Sequence, residues 1–364
     1  MSAAHPSAPL PSAPRDVPVS ILTGFLGAGK TTLLNRLLRS PRLARTAVIV
    51  NEFGEIGLDH ALIEASSDGV IELSDGCLCC TVRGDLVDTL DRLLDGARAI
   101  DRIVIETTGL ADPVPVLRAV MAHPTRGDAM RLDGVVTLVD AVNGADTVER
   151  HAEAQRQIAV ADRIVVSKRD LMNDDAALRN AIRALNPAAP ILDAQDEGLI
   201  EAVLDCGLYD PTTKSTDVER WLRANAHDHH THDHHAHEPE HSHGDVRSFS
   251  LVHEGSVSLG AVEDFLNLLA SAHGPRLLRM KAIIHAAEHP DEPLVLHAVQ
   301  TTLHPPARLP AWPDADRRTR VVMIVDGVPE TYVRDLFSAF TGTPRVDAPD
   351  RTALTDNPLA VLGL

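Results

Sequence analysis

Two rhythms of apolar and polar positions divide the chain. In its first part, short β-branched or aliphatic runs alternate with leucines at helical spacing. Val17–Leu22 is such a run, and Leu33, Leu34, Leu37 and Leu38 follow it on one helical face. Thr46–Val50, Val70–Leu73, Arg102–Glu106, Gly134–Asp140, Ile164–Ser167 and Ala189–Leu192 read as further buried strands. Leu86, Leu90, Leu93 and Leu94 mark an amphipathic helix. Asp112-Pro113 opens another, and Val218–Leu222 is a last short one. Strands alternating with helices predict an open, mainly parallel α/β sheet.

Past residue 245 the rhythm changes. Arg247–Val252 alternates like a half-buried strand, and Val262, Phe265, Leu266 and Leu269 recur at helical spacing. Leu277–Ala286 and Leu294–Gln300 form a hairpin around His289–Pro293, Thr319–Val325 is a strand and Glu330–Phe340 a helix. This predicts a smaller α+β unit with its helices on one face of a mainly antiparallel sheet. His273, His285, His297 and His304 read as ordinary polar or surface positions, none of them a ligand. The expected division is a leader (1–15), a nucleotide-binding domain (16–224), a linker (225–245), the α+β domain (246–345) and a tail (346–364).

Composition narrows the function classes. A chain of 364 residues with a formal net charge of -18 suits neither nucleic acid nor an anionic membrane, since phosphate repels such a surface. No apolar run approaches the roughly 20 residues that span a bilayer. Met1–Pro14 is rich in Ala, Pro and Ser without the apolar centre of a signal peptide, and reads as a disordered leader. Cys77, Cys79 and Cys80 cluster while Cys206 stands alone, which fits a reduced cytoplasmic compartment better than a disulfide framework.

The strongest chemical signal is G-F-L-G-A-G-K-T-T (Gly24–Thr32), a G-x-x-x-x-G-K-S/T pattern set between strand and helix. Gly24, Gly27 and Gly29 free the backbone so that successive N–H groups, those around Ala28 and Thr32 included, can face phosphate oxygens. The helix start adds its positive dipole end, Lys30 a charge for the β- and γ-phosphates, and Thr31 a hydroxyl for Mg²⁺. The competing account is a glycine-rich turn with no ligand.

Other candidates leave strand ends on the same side, where ligands bind in open α/β sheets. Glu52, Glu55, Asp59 and His60 sit in a glycine-broken loop, placed to meet a metal or the nucleotide, or simply solvated. Glu106, before Thr107-Thr108-Gly109, holds the Walker-B position for Mg²⁺, the alternative being a plain exit from a strand. Gly109 lets the following loop approach the γ-phosphate. In S-K-R-D (Ser167–Asp170), Asp170 can accept both guanine donors while Lys168 packs along the base, which favours GTP over ATP. Cys77, Cys79 and Cys80 put three thiols in four residues, enough to surround one soft ion such as Zn²⁺ or Cu(I). Small buried hydrophobes, or a redox pair, are the other accounts. Between Asn225 and Asp245, nine histidines alternate with acids and alanines. That composition cannot build a core and predicts a flexible linker, either a loose metal collector or a plain tether.

Taken in order, these motifs resemble the CobW-like family of P-loop GTPases, metallochaperones named for cobalamin-synthesis or zinc-homeostasis members. N-E-F-G-E (Asn51–Glu55), G-C-L-C-C (Gly76–Cys80), E-T-T-G-L-A-D-P (Glu106–Pro113), L-N-P-x-A (Leu185–Ala189) and the His-rich insert support the resemblance. It implies GTP hydrolysis on Mg²⁺, coupled to delivery of a transition metal held by the cysteines with Glu55 nearby. Zn²⁺ is the favoured ion and Co²⁺ or Fe²⁺ the alternatives. GTP and a client metalloprotein are the implied partners, and a homo-oligomer is left open. Three positions depart from the common pattern: Asp75 for asparagine, Ser167 for Asn or Thr, and Arg279-Met-Lys-Ala282 for R-x-K-G. Rival functions are a dedicated cobalt or iron insertion activator for a cobalamin-pathway enzyme or nitrile hydratase, a small-molecule kinase, and a passive zinc buffer.

Overall fold

The computed structural model describes residues 17–50, 70–72, 82–95, 100–123, 129–172, 174–204, 206, 246–304 and 306–342. Its first unit begins with β1 (Val17–Gly24), α1 (Lys30–Leu38), β2 (Thr46–Val50), β3 (Val70–Glu72) and α2 (Val82–Asp95). β4 (Arg102–Glu106), α3 (Val114–Met121), β5 (Met130–Asp140), α4 (Gly144–Arg150) and α5 (Ala152–Ala159) follow. β6 (Arg163–Ser167), α6 (Ala176–Leu185), β7 (Ile191–Asp193) and α7 (Leu199–Val203) complete it. All seven strands are parallel, in the order β3-β2-β4-β1-β5-β6-β7. β1 lies at the centre between β4 and β5, and Val19 and Ile21 are fully buried. A strand covered by helices on both faces tolerates little polar alternation, so its sequence is a near-continuous apolar run in which buried Ser20 and Thr23 are hydrogen-bonded to Asp133 and Thr107.

The order sets the ligand side. The chain leaves β1 toward β2 and returns through β4, then crosses to β5 on the other flank. Connections therefore diverge at the carboxyl end of β1, and that divergence opens a crevice. Leu33, Leu34 and Leu37 of α1 pack on one face of the sheet, while α2, α3 and α5 cover the other.

The second unit comprises β8 (Val246–His253), α8 (Leu259–His273), β9 (Leu277–Ile284), β10 (Leu294–Val299), β11 (Thr302–Leu303), β12 (Ala307–Arg308), β13 (Thr319–Asp326) and α9 (Glu330–Phe340). Its antiparallel sheet runs β11-β10-β9-β13-β8, with β12 also on β10. The architecture is a parallel P-loop sheet followed by an antiparallel α+β unit, as the two rhythms predict. Along β9, Met280, Ala282 and Ile284 face a core shared with Phe265 and Phe337 of α8 and α9. Arg279 and Lys281 alternate with them and face the first unit. Val246, Leu278, Val299 and Ile324 join the same apolar cluster as Val19 and Ile103. The sheet is thus covered by its own helices on one side and by the first unit on the other.

A buried ion cluster pins that junction. Arg279 donates to both oxygens of Asp162 at 3.0 and 2.8 Å, and Lys281 donates at 2.5 Å. The Val135 N–H completes the set at 2.9 Å, and Arg279 also reaches Val160 O. Burial alone would raise the Asp162 carboxyl, but Arg279 and Lys281 hold it well below the usual range. Burial pushes Lys281 down to about 8 against the pull of Asp162. The Arg279-Met-Lys-Ala282 stretch, of open role in the sequence, is an inter-domain clasp. His297, expected as an ordinary or surface position, is buried; desolvation and the neighbouring Lys281 and Arg279 charges keep its imidazole well below its usual pKa. Among the described residues no helix is long and apolar enough to cross a membrane. The leader, Val218–Leu222, the histidine-rich stretch and the tail from 346 lie outside the described residues.

Candidate functional site

The loop between β1 and α1 passes over the carboxyl end of the sheet. Gly24 enters it with φ 145°, and a Cβ there would sit 2.4 Å from Leu138 O of β5, so both conformation and space require glycine. Gly29 caps α1 at φ 92°, left-handed. The first turn of α1 carries no acid, which leaves the helix dipole's positive end uncompensated for an anion. Lys30 curls back over the loop and donates to Gly24 O at 2.9 Å and Phe25 O at 3.3 Å. Its ammonium therefore lies at the mouth of the glycine turn, with Gly27 and Ala28 on the loop and Thr32 exposed on α1.

Behind Lys30, Thr31 Oγ1 donates to Glu106 Oε1 at 3.1 Å across 75 positions of sequence. Parallel pairing of β1 with β4 sets Leu22 beside Glu106 and so delivers the acid to the foot of α1. A hydroxyl and a carboxylate on adjoining elements are oxygen donors suited to a hard divalent cation. Gly109 lies against Leu26, where a Cβ would come within 2.7 Å of the Leu26 backbone nitrogen. Its observed role is to let the post-β4 loop lie flat on the glycine loop. Thr107 Oγ1 adds a 2.7 Å bond to Thr23 Oγ1.

On the other flank, Ser167 Oγ donates to Ala28 O at 2.7 Å. The serine that departs from the common pattern tethers the glycine loop to the end of β6. Lys168, at φ 56°, donates to Asp140 Oδ2 at 2.7 Å. Burial would raise the Asp140 carboxyl, yet bonds from Lys168, the Val142 N–H and Asn143 hold it below its ordinary value. Lys168 and loop residues 25–28 share a cavity of about 150 Å3 with Asp140, Asn143 and Gln157. Asp170 is exposed and accepts from Gln195 Nε2 at 2.7 Å. Gln195 follows β7, in a turn that Arg36 of α1 holds through Ala194 O and, at 2.8 Å, Asp196 O.

Gly24, Gly27, Ala28, Gly29, Lys30, Thr31, Thr32, Glu106, Gly109, Ser167, Lys168 and Asp170 are thus gathered along one rim. Glu55, Cys77, Cys79 and Cys80 lie outside the described residues. β2 and β3, which precede those segments, end at Val50 and Glu72 on the same side of the sheet. Among the described residues no group of three or more His, Cys, Asp and Glu side chains is gathered for a metal.

Sequence reasoning missed Gln195, Arg36, Arg156 and Gln157. Gln157 is 1% exposed on α5 and donates to Gly109 O at 3.1 Å and Ala111 O at 3.0 Å. A glutamine between Ala154 and Ile158 on a buried helix face was its only signal. The L-N-P-x-A motif is architectural here: Asn186 Nδ2 lies 2.9, 3.1 and 2.9 Å from the carbonyls of Ile158, Ala159 and Ala161, so it caps α5.

Comparison with known proteins agrees with this geometry. Residues 18–193 match the model of the CobW/HypB/UreG nucleotide-binding domain, and residues 246–341 that of the cobalamin synthesis protein cobW C-terminal domain. The zinc chaperone YjiA of Escherichia coli K12 is 31% identical over 326 residues, covering 88% of this chain and 98% of that protein. The zinc chaperone CobW of a Sinorhizobium species is 31% identical over 358 residues, covering 89% and 97%. The crystal structure of the Zn(II)-bound YjiA GTPase from E. coli superposes with a TM-score of 0.63 at 26% identity, over 90% of this chain and 99% of that one. With both domain models matched in order and relatives aligned along nearly their whole length, this chain belongs to the CobW family of P-loop GTPases.

Proposed function

We propose that this protein is a GTP-hydrolysing metallochaperone that carries zinc and hands it to a client metalloprotein. The observation that carries the reading is the meeting of Thr31 with Glu106 at the foot of α1, beside the Lys30 ammonium. The glycine loop's N–H groups and the bare helix end would cradle the phosphates of GTP, and Lys30 would neutralise the β- and γ-oxygens. Thr31 and Glu106 would hold Mg²⁺, which supplies charge neutralisation at the transferred phosphate. Asp170 and Lys168, with Gln195 beside them, would receive guanine. Zinc would be carried as cargo by Cys77, Cys79 and Cys80 with Glu55, on segments that follow β2 and β3 on the rim side. Nucleotide state would set the affinity of that site, because segments ordered by a γ-phosphate contact relax when it is lost. The zinc named in both relatives' descriptions supports this cargo over cobalt or iron.

Two measurements test the proposal. GTP turnover should be abolished by Lys30→Ala; turnover surviving that change would assign hydrolysis elsewhere. Competition titration should show different zinc affinities in the GTP-analogue and GDP states, with Cys77→Ser, Cys79→Ser and Cys80→Ser each weakening binding. Equal affinity in the two states would leave a GTPase without coupling.

A further inference from the structure

Resting on that GTPase reading, the geometry points to Arg156 as a positioning residue that carries the state of the loop after Glu106 into the second domain. That loop is held on every side. The Thr107 N–H donates to Leu22 O at 2.9 Å, Gly109 abuts Leu26, and Gln157 grips the Gly109 and Ala111 carbonyls. Its far end is Asp112. One Asp112 oxygen accepts the Val114 N–H at 2.9 Å and so starts α3, while the other lies 3.3 Å from Arg156 Nη1. The second nitrogen of the same guanidinium donates at 2.6 Å to Asp326, the last residue of β13. One planar fork therefore spans two carboxylates on different domains, a geometry that a lysine's single ammonium reproduces poorly.

The bridge is distinct from the clasp at Asp162. Arg279 has 4% of its side chain exposed, whereas Arg156 has 37%. The buried clasp joins the domains, and the looser bridge touches the one segment that both adjoins the glycine loop and follows the Mg²⁺-side acid. Asn186 fixes the end of α5, so displacement of Asp112 is transmitted to Asp326 rather than absorbed by drift of the helix. At the other end of α3, Arg118 donates to Gln300 of the second domain at 2.9 Å, a parallel strap. Two negative groups depend on one cation here. Movement of either carboxylate alters the hold on the other.

The test uses the full-length protein with GDP or a non-hydrolysable GTP analogue, with amide exchange read over residues 319–340. Wild type should show a nucleotide-dependent difference there. Asp326→Asn should abolish that difference, leave GDP affinity unchanged and lower turnover by roughly two- to thirty-fold. Arg156→Gln should do the same, with Arg156→Lys rescuing it only in part. A thermal midpoint for Asp326→Asn close to wild type establishes that the fold is intact. The proposal is overturned by a difference that persists in Asp326→Asn, or by none in wild type. Absence of GTP turnover in wild type would instead sink the GTPase reading, because the exchange measurement needs only nucleotide binding.

Discussion

Gly24 and Ser167 shape the phosphate loop from opposite sides. Gly24 is squeezed against β5, so Gly24→Ala places a methyl on Leu138 O in a backbone region that alanine avoids. The expected result is a loss of stability of about 1–3 kcal/mol or more, read as a lowered denaturation midpoint. Ser167→Ala removes the 2.7 Å hydrogen bond to Ala28 O and a longer 3.4 Å contact with Val139 O. It should cost about 0.5–1.5 kcal/mol and weaken GTP binding with little change in turnover at saturation. Titrations with a fluorescent nucleotide separate these effects, and an unchanged affinity would show that the tether does not shape the loop. Lys30 and the glycine spacing were legible in the sequence because the turn is local, with Lys30 bonded to carbonyls five and six positions away, whereas the contacts with Leu138 and Ser167 were not.

At the scale of elements, α5 organises the back of the site without contributing a ligand of its own. Gln157 and Arg156 are adjacent on it and hold the middle and the far end of the post-β4 loop, while Asn186 closes its last turn. Replacing Asn186 with alanine would take the side-chain donor from the carbonyls of Ile158, Ala159 and Ala161, of which Ile158 keeps the Ala161 N–H at 3.2 Å. The expected cost is about 1–3 kcal/mol, with faster amide exchange in 152–159 as its local signature. No such change in exchange would mean that α5 is held by packing alone. This helix escaped the sequence reading for a physical reason. Its A-E-A-Q-R-Q-I-A stretch has a weak apolar stripe, and its most deeply buried glutamine, Gln157, is satisfied by carbonyls 46 and 48 positions away.

For the whole molecule, the clasp at Asp162 sets how firmly the two units are joined. Asp162→Ala would strand Arg279 and Lys281 at a buried junction, a change expected to cost about 3–5 kcal/mol in a denaturation experiment. The same carboxyl makes a pH prediction. Its folded pKa lies below the ordinary 3.8, so its contribution is complete above about pH 5. Protons bind the unfolded chain first as pH falls, and stability is lost progressively from there downward. Wild type should therefore lose more stability than Asp162→Asn between pH 5 and pH 3 (roughly the window set by that ordinary value). Equal acid sensitivity would assign the acid response to other carboxylates.

What the sequence determined by itself is whatever depends on near neighbours and on period. The strand–glycine–helix order, the switch from parallel α/β to antiparallel α+β, and the acids and lysines at strand ends all belong here. A phosphate-binding turn is built from consecutive backbone groups, and burial on one or both faces leaves its mark on every second or fourth residue. Tertiary structure alone decided which distant residues meet. The order β4-β1-β5 placed Glu106 against Thr31, the docking of β9's outer face on the first unit set Arg279 and Lys281 onto Asp162, and Arg156 reached an aspartate 170 positions later. Those pairings follow from sheet order and docking, to which no single stretch of chain holds the key, because the free energy that selects them is shared among elements far apart in sequence.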